Sequence, residues 1–403
     1  MTPAQDRLDE QEAEQLEPVR PPDLNQESNR RATRLELFFD LAFVLLVARC
    51  ADVLAKDATW HGALAFAAVL TIGWWAWAST TLYANRFDTD DAVFRLLTLA
   101  AMAGVMAMAA AVDHLDGPAA RWFTLGYVLV RLALIAGYLR AWRHVPDARA
   151  TARLYLIGHT LGAGIWLASL AVPAPGRYWL WGVGVLVDVV WPTAATRLRD
   201  AVPLHLEHLP DRFALFIILV LGESVAAIVS GVHDGGWRPS VIVTAALAFA
   251  AAAALWWIYF DLSGGAAKRR LAAEADQVSK HGVHDFYLYV HLPLAISLAA
   301  VAVGLEHAVL HGADPHLTSG TRWVLGIATG GYLLSAAIMQ AQLSRRVRGA
   351  VLWPGAGVPL ALLIALLDLS PTTTLGLLAA VLCSGVLAGF LLHRHGEVRT
   401  AKA

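Results

Sequence analysis

Residues 34–50 read RLELFFDLAFVLLVARC, and the apolar run they open continues to residue 56. About 20 apolar residues, at 1.5 Å per residue in a helix, cross the hydrocarbon of a bilayer, so the stretch reads as a first membrane span over 36–56. The span is costly, because Arg34, Glu36 and Asp40 stand at its mouth and Arg49 lies in its far half. An ionised side chain at the centre of a membrane helix costs roughly 2.5–3.5 kcal/mol on insertion scales. Such residues are expected to face protein or a water-filled path, not lipid.

The same kind of run recurs outward along the chain, near 60–83, 92–113, 119–142, 150–172, 176–196, 212–231, 239–262, 283–307, 321–344, 349–369 and 373–393, twelve in all. The 403 residues are 57% hydrophobic and 16% charged, with a mean hydropathy of +0.54, whereas soluble domains carry about 25% charged residues. The runs are too long, and too little alternating, for a membrane β-barrel. The expected fold class is therefore all-α, a polytopic membrane protein of about 12 transmembrane helices.

Lys and Arg set the expected orientation, since basic residues near span ends are retained on the cytoplasmic side. Twenty-four of them fall before the first span, in the even-numbered connections and in the C-terminal tail, against five in the odd-numbered connections. Both termini are expected in the cytoplasm, in a bacterial inner membrane crossed many times. Residues 1–33 are polar and acidic early, with no apolar h-region, so they read as a disordered cytoplasmic tail and not as a signal peptide. Residues 395–403 read as a second cytoplasmic tail.

An internal repeat divides the rest. Trp74-Trp75 recurs as Trp256-Trp257 at an offset of 182, and Asp40 precedes Glu223 by 183. In both halves an acidic helix is followed by a tryptophan-rich one and a charged turn. Six-helix halves over 34–200 and 201–394 are expected, as a tandem repeat of the kind transport folds use.

Several ionisable residues are candidates for chemistry. Glu36 and Asp40, four apart, share a helix face; like charges there require a bridging cation, a paired arginine or a proton. The competing reading is a set that caps the helix and anchors it. Glu223, midway along its span and flanked by Gly222 and Ser224, is the strongest single signal; a helix–helix clamp at those small residues is its rival. Arg131 in the fourth span, Asp188 in the sixth and Arg49 are expected to find opposite charges at matching depth, Arg131 with Asp188 or Glu223. His291, two residues before Pro293, could relay protons or be a satisfied core histidine. Gly158-xxx-Gly162 and Gly326-xxx-Gly330 read as helix-packing faces within the chain.

Cys50 and Cys383 lie in apolar spans without metal-ligand spacing. Two loop groups, His205, Glu207, His208 and Asp211, and His281, His284 and Asp285, would have to converge to bind a metal. With no phosphate-cradling loop, Gly-x-Ser-x-Gly elbow or His-Glu-x-x-His helix, no catalytic residue, cofactor or metal site is assigned.

The segments RLELFFDLAFV (Arg34 to Val44), DRFALFIILVLGESV (Asp211 to Val225), LWWIYFD (Leu255 to Asp261) and YLYVHLPLAISLAAVAVGLEH (Tyr287 to His307) together resemble the low-temperature requirement protein A (LtrA) family of bacterial membrane proteins. The resemblance implies an inner-membrane protein tied by name to growth in the cold. The first span alone is also similar to the signature of the endolysosomal potassium channels and their six-span bacterial relatives. By that likeness Arg34, Phe38 and Asp40 support a pore-lining helix. In the second half Arg212 and Phe216 match, but Ile218 takes the aspartate's place and the carboxylate comes later, at Glu223.

The expected function is a transporter or channel for a small cation or proton, through a route that includes Glu36, Asp40, Glu223 and His291, with Arg34, Phe38, Arg49, Arg131, Asp188 and Ser224 as helix supports or ion-pair partners. The alternative is a membrane-embedded enzyme or sensor acting on lipid or a small apolar molecule. Membrane lipid is the expected partner, a homodimer is compatible with it, and nothing in the charge pattern points to nucleic acid.

Overall fold

The computed structural model describes residues 19–24, 33–88, 90–196, 209–264, 281–344 and 354–400. Among these stand twelve α-helices of ten or more residues: α1 (Arg34–Lys56), α2 (Trp60–Arg86), α3 (Ala92–Ala111), α4 (Ala120–His144), α5 (Arg149–Ser169), α6 (Gly176–Thr196), α7 (Leu209–Gly235), α8 (Pro239–Trp257), α9 (His281–Leu310), α10 (Ser319–Ser344), α11 (Gly357–Leu366) and α12 (Pro371–Thr400). Eight of the described helices are long and apolar enough to cross a membrane, namely α2, α3, α4, α7, α8, α9, α10 and α12. The protein is thus an all-α membrane protein. Helix α1 is as long as these but carries six charged residues, and α11 spans only ten residues.

Exposed tryptophans stand at the starts of several helices. Trp60, Trp122, Trp179, Trp237 and Trp323 are exposed at or near the starts of α2, α4, α6, α8 and α10, where a ring with one polar edge suits a membrane–water boundary.

By its contacts the chain separates into two compact units, residues 1–43 with 72–208 and residues 44–71 with 209–403. In the first unit α3 packs on α4, α4 on α5 and α5 on α6. Backbones touch where α3 crosses α4: a Cβ on Gly104 would lie 2.5 Å from the carbonyl oxygen of Gly126, and one on Gly126 would meet the Gly104 carbonyl. Gly158 seats Trp191 and Gly162 lies against the Asp188 carboxylate, so this stripe of small residues joins α5 to α6.

A strap precedes α1. Strand β1 (Asp23–Leu24) pairs antiparallel with β2 (Phe87–Asp88), Asp23 opposite Asp88 and Leu24 opposite Phe87. Asp91 caps α3 by accepting from the Phe94 N–H at 2.9 Å, pairs with Arg140 at 2.8 Å and accepts the Arg20 backbone N–H at 3.2 Å; Arg140 in turn donates to the Arg20 carbonyl at 2.6 Å. Burial alone would raise the Asp91 pKa, but these donors outweigh it and hold the carboxylate below its ordinary range. Of the expected N-terminal tail, residues 1–18 and 25–32 lie outside the described residues, while α12 remains helical through residues 395–400.

In the second unit α7 packs on α8 and α9, α9 on α10, α10 on α11, α11 on α12, and α12 returns to α8, closing a ring of six helices. Gly326 fits against the Ala361 carbonyl and Ala365, which joins α10 to α11. Helix α8 ends in a π-helical turn, Ile258–Gly264, that touches α10 and α12.

Candidate functional site

The first unit contains a buried ion pair. Tyr127 and Arg131, four apart on α4, face inward with His159 of α5, Asp188 of α6 and Ser79 of α2. Arg131 Nη2 lies 3.1 Å from Asp188 Oδ2, with the two side chains 0% and 1% exposed. Tyr127 ties them together, donating its hydroxyl proton to Asp188 and accepting from Arg131. Arg131 Nη1 also donates to Ser79 Oγ at 3.0 Å and faces His159 Nδ1 at 3.3 Å. A guanidinium only donates, so Nδ1 accepts and the His159 proton sits on Nε2. Arg131 and Asp188 are brought together; Glu223 belongs to the other unit.

At the start of α1, Glu36 takes part in a capping box: its carboxylate accepts the Thr33 N–H at 2.8 Å while the Thr33 hydroxyl accepts the Glu36 N–H at 3.2 Å. Asp40, fully buried, accepts a hydrogen bond from Trp77 Nε1 at 2.9 Å. Arg34 and Phe38 point outward and are exposed. Arg49 pairs with Asp52 one turn further along the same helix, at 3.1 Å.

The second unit gathers acids along the seam of α7 and α9. The two helices run parallel, because Phe213 meets Tyr287 and His291 at one end, while Gly231 lies against the Glu306 carbonyl and Gly235 against that of Leu310 at the other. Glu223 and Glu306 are each about half-buried. Glu223 feels the charge of Asp52, and Glu306 feels those of Asp52, Glu223 and Asp234. Glu223 precedes Gly231 by eight residues, which places it about 12 Å deeper than Glu306. Asp234, Glu306 and Glu223 therefore descend into the unit from the end where α7 and α9 finish. Ser224 is buried, its hydroxyl without a hydrogen-bond partner among the described residues. Gly222 does not mediate the expected close approach: it is exposed, and a Cβ there would meet nothing within 4 Å.

Below the acids, the buried Phe216, Ile217 and Val220 of α7 and Leu294, Ala295 and Leu298 of α9 form an apolar stretch. It separates Glu223 from His291, which lies level with Phe213, about 15 Å away along the axis. His291 Nδ1 donates to the Tyr287 carbonyl at 2.7 Å, so Nε2 accepts the Tyr259 hydroxyl at 2.9 Å. That bond joins α9 to the π-helical turn.

Among the described residues no group of three His, Cys, Asp or Glu is placed to hold a metal ion. His205, Glu207 and His208 lie outside the described residues, and the side chains of His281 and His284 are not described. Residues 31–388 match the family described as bacterial low temperature requirement A protein (LtrA). The chain belongs to the LtrA family. It is similar to an uncharacterized protein of Rhizobium meliloti (strain 1021), 27% identical over 298 residues, 70% of each chain.

The LtrA match covers every residue of the three constellations. Sequence reasoning had not picked out Asp52, Glu306, Trp77, Tyr259 and Arg86. Glu306 and Asp52 sit near helix ends, where a charge looks interfacial; the α7–α9 register draws Glu306 toward Glu223, while Asp52 comes from α1. Trp77 and Tyr259 share the 182-residue offset of the two tryptophan pairs, a signal that could have found them.

Proposed function

We propose that this LtrA protein is a twelve-span transporter or channel of the bacterial inner membrane, carrying a proton or small cation along the α7–α9 seam. One observation carries the reading: Glu223 and Glu306 sit half-buried within reach of each other's charge and that of Asp52, and neither has a cationic partner among the described residues. Half-buried carboxylates without a cationic partner favour taking up a proton or a cation. The apolar stretch below Glu223 would serve as the constriction, a barrier to ions until it hydrates.

Glu36 and Asp40 take supporting parts in this reading, as cap and as tryptophan-bonded anchor of α1, and His291 would hand protons on across the far end of the constriction. The strong bias of Lys and Arg favours cytoplasmic termini. A six-helix repeat is supported by the shared order of packing, α3–α4–α5–α6 and α9–α10–α11–α12. Against it, Trp74 and Trp75 are buried whereas Trp256 and Trp257 are 39% and 41% exposed. Membrane lipid and the transported ion are the partners it requires.

Reconstitution into liposomes, with proton, potassium and sodium gradients imposed in turn and flux read by ion-sensitive dyes, tests the proposal. Glu223→Gln and Glu306→Gln should each abolish flux while leaving the thermal midpoint within about 4 °C of wild type. Wild-type flux in both variants would remove the acidic ladder from the pathway.

A further inference from the structure

Arg86, the last residue of α2, looks in sequence like one more basic residue at a span end. In the structure it is 2% exposed. Its Nη2 donates to the Tyr155 hydroxyl at 2.9 Å, and its guanidinium carbon lies 4.7 Å from the centre of the Tyr155 ring. Tyr155 stacks on Tyr138 with centroids 4.8 Å apart, and the His159 ring lies 5.5 Å from Tyr138 and 5.9 Å from Tyr155. Arg86 Nε and Nη1, the Tyr138 hydroxyl and His159 Nε2 are all buried and make no well-formed hydrogen bond among the described residues, although Arg86 lies close enough to the Tyr138 hydroxyl to interact with it.

These orphaned groups share a character. The two Arg86 nitrogens can only donate, His159 Nε2 carries the proton because Nδ1 faces Arg131, and the tyrosine hydroxyl can donate. The cluster is rich in donors and poor in acceptors. Its charge is also unbalanced: Arg131 is matched by Asp188, but no carboxylate among the described residues pairs with Arg86. Arginine cannot escape by losing its proton, and a desolvated cation without counter-charge is costly.

We propose that a small monovalent inorganic anion of the halide class binds at Arg86, Tyr138, Tyr155 and His159. It supplies the one missing negative charge and accepts from the orphaned donors. Water would satisfy the hydrogen bonds but bring no charge. Phosphate would add charge that the cluster does not match, and aromatic walls suit a weakly hydrated ion. The site lies in the first unit and is independent of the acidic ladder.

The test is thermal unfolding of the full-length protein in lipid nanodiscs, followed by tryptophan fluorescence and titrated with sodium bromide against gluconate at constant ionic strength. Wild type should show a saturable rise of about 2–4 °C, with no such rise when phosphate replaces bromide. Arg86→Gln should lose the bromide response, and Tyr138→Phe, lacking one oxygen, should need several-fold more bromide to reach half its rise. A flat wild-type response, or an equal response in Arg86→Gln, would overturn the site. If Arg86→Gln does not fold, Tyr138→Phe decides, and an unchanged half-saturation point rejects the assignment. Saturation by phosphate instead would reject the monovalent class.

Discussion

Asp188→Leu should leave little folded protein, whereas Arg131→Met should lose less and regain part of the loss as the pH is lowered. Breaking a buried pair by removing one partner typically costs about 3–5 kcal/mol, a large share of the roughly 5–15 kcal/mol that holds a protein folded. The two halves of this pair differ in how they can respond. An Asp188 stripped of Arg131 can take up a proton and become a neutral acid that still bonds Tyr127. An Arg131 stripped of Asp188 stays charged, with Ser79, His159 and the Tyr127 oxygen and ring as its partners among the described residues. Removing both, as in Arg131→Met with Asp188→Leu, should be milder than Asp188→Leu alone, since no bare charge remains. Size-exclusion yield and thermal midpoints of the two singles and the double, at pH 7 and pH 5, measure this. If the double is no better than Asp188→Leu, the pair is held by packing and not by charge.

Gly104→Leu should be comparably damaging, and Gly104→Ala should cost about 1–3 kcal/mol. In lipid the hydrophobic effect does little to press helix on helix, so close backbone packing carries much of the association. At the α3–α4 crossing the obstacle to a side chain is the Gly126 carbonyl, with a Val130 methyl 3.0 Å from the added Cβ. Backbone cannot rotate aside as a flexible side chain can. The usual gain of about 0.5–1 kcal/mol from replacing a helical glycine by alanine is therefore outweighed. Gly222→Ala is the control: with nothing within 4 Å, it should keep or raise the midpoint. Equal midpoints for Gly104→Ala and Gly222→Ala would show that the helices separate at little cost.

Helix placement was legible because the twelve apolar runs are long, and each grows a helix. Less legible was which charges meet. The pairing of Arg131 with Asp188 needs the order α4–α5–α6, which hydropathy does not encode. Glu36 carries the capping-box spacing with Thr33, a local pattern available to anyone reading four residues. Glu223 stands out on its own in the sequence, but the company of Glu306 depends on a parallel register of two helices some 80 residues apart, and that of Asp52 on a third helix, α1. Arg86 was hidden by its position, since a basic residue at a span end looks solvated until aromatic rings are seen to close over it.

The strap ahead of α1 is fastened mainly through main-chain atoms: the amide of Arg20 goes to Asp91 and its carbonyl to Arg140, while its guanidinium adds one long bond to the Asp90 carbonyl at 3.5 Å. Any residue except proline can supply the amide at position 20, so a replacement of Arg20 forfeits only that long side-chain bond. The side chains that hold the segment belong to Asp91 and Arg140, two residues remote from it in sequence.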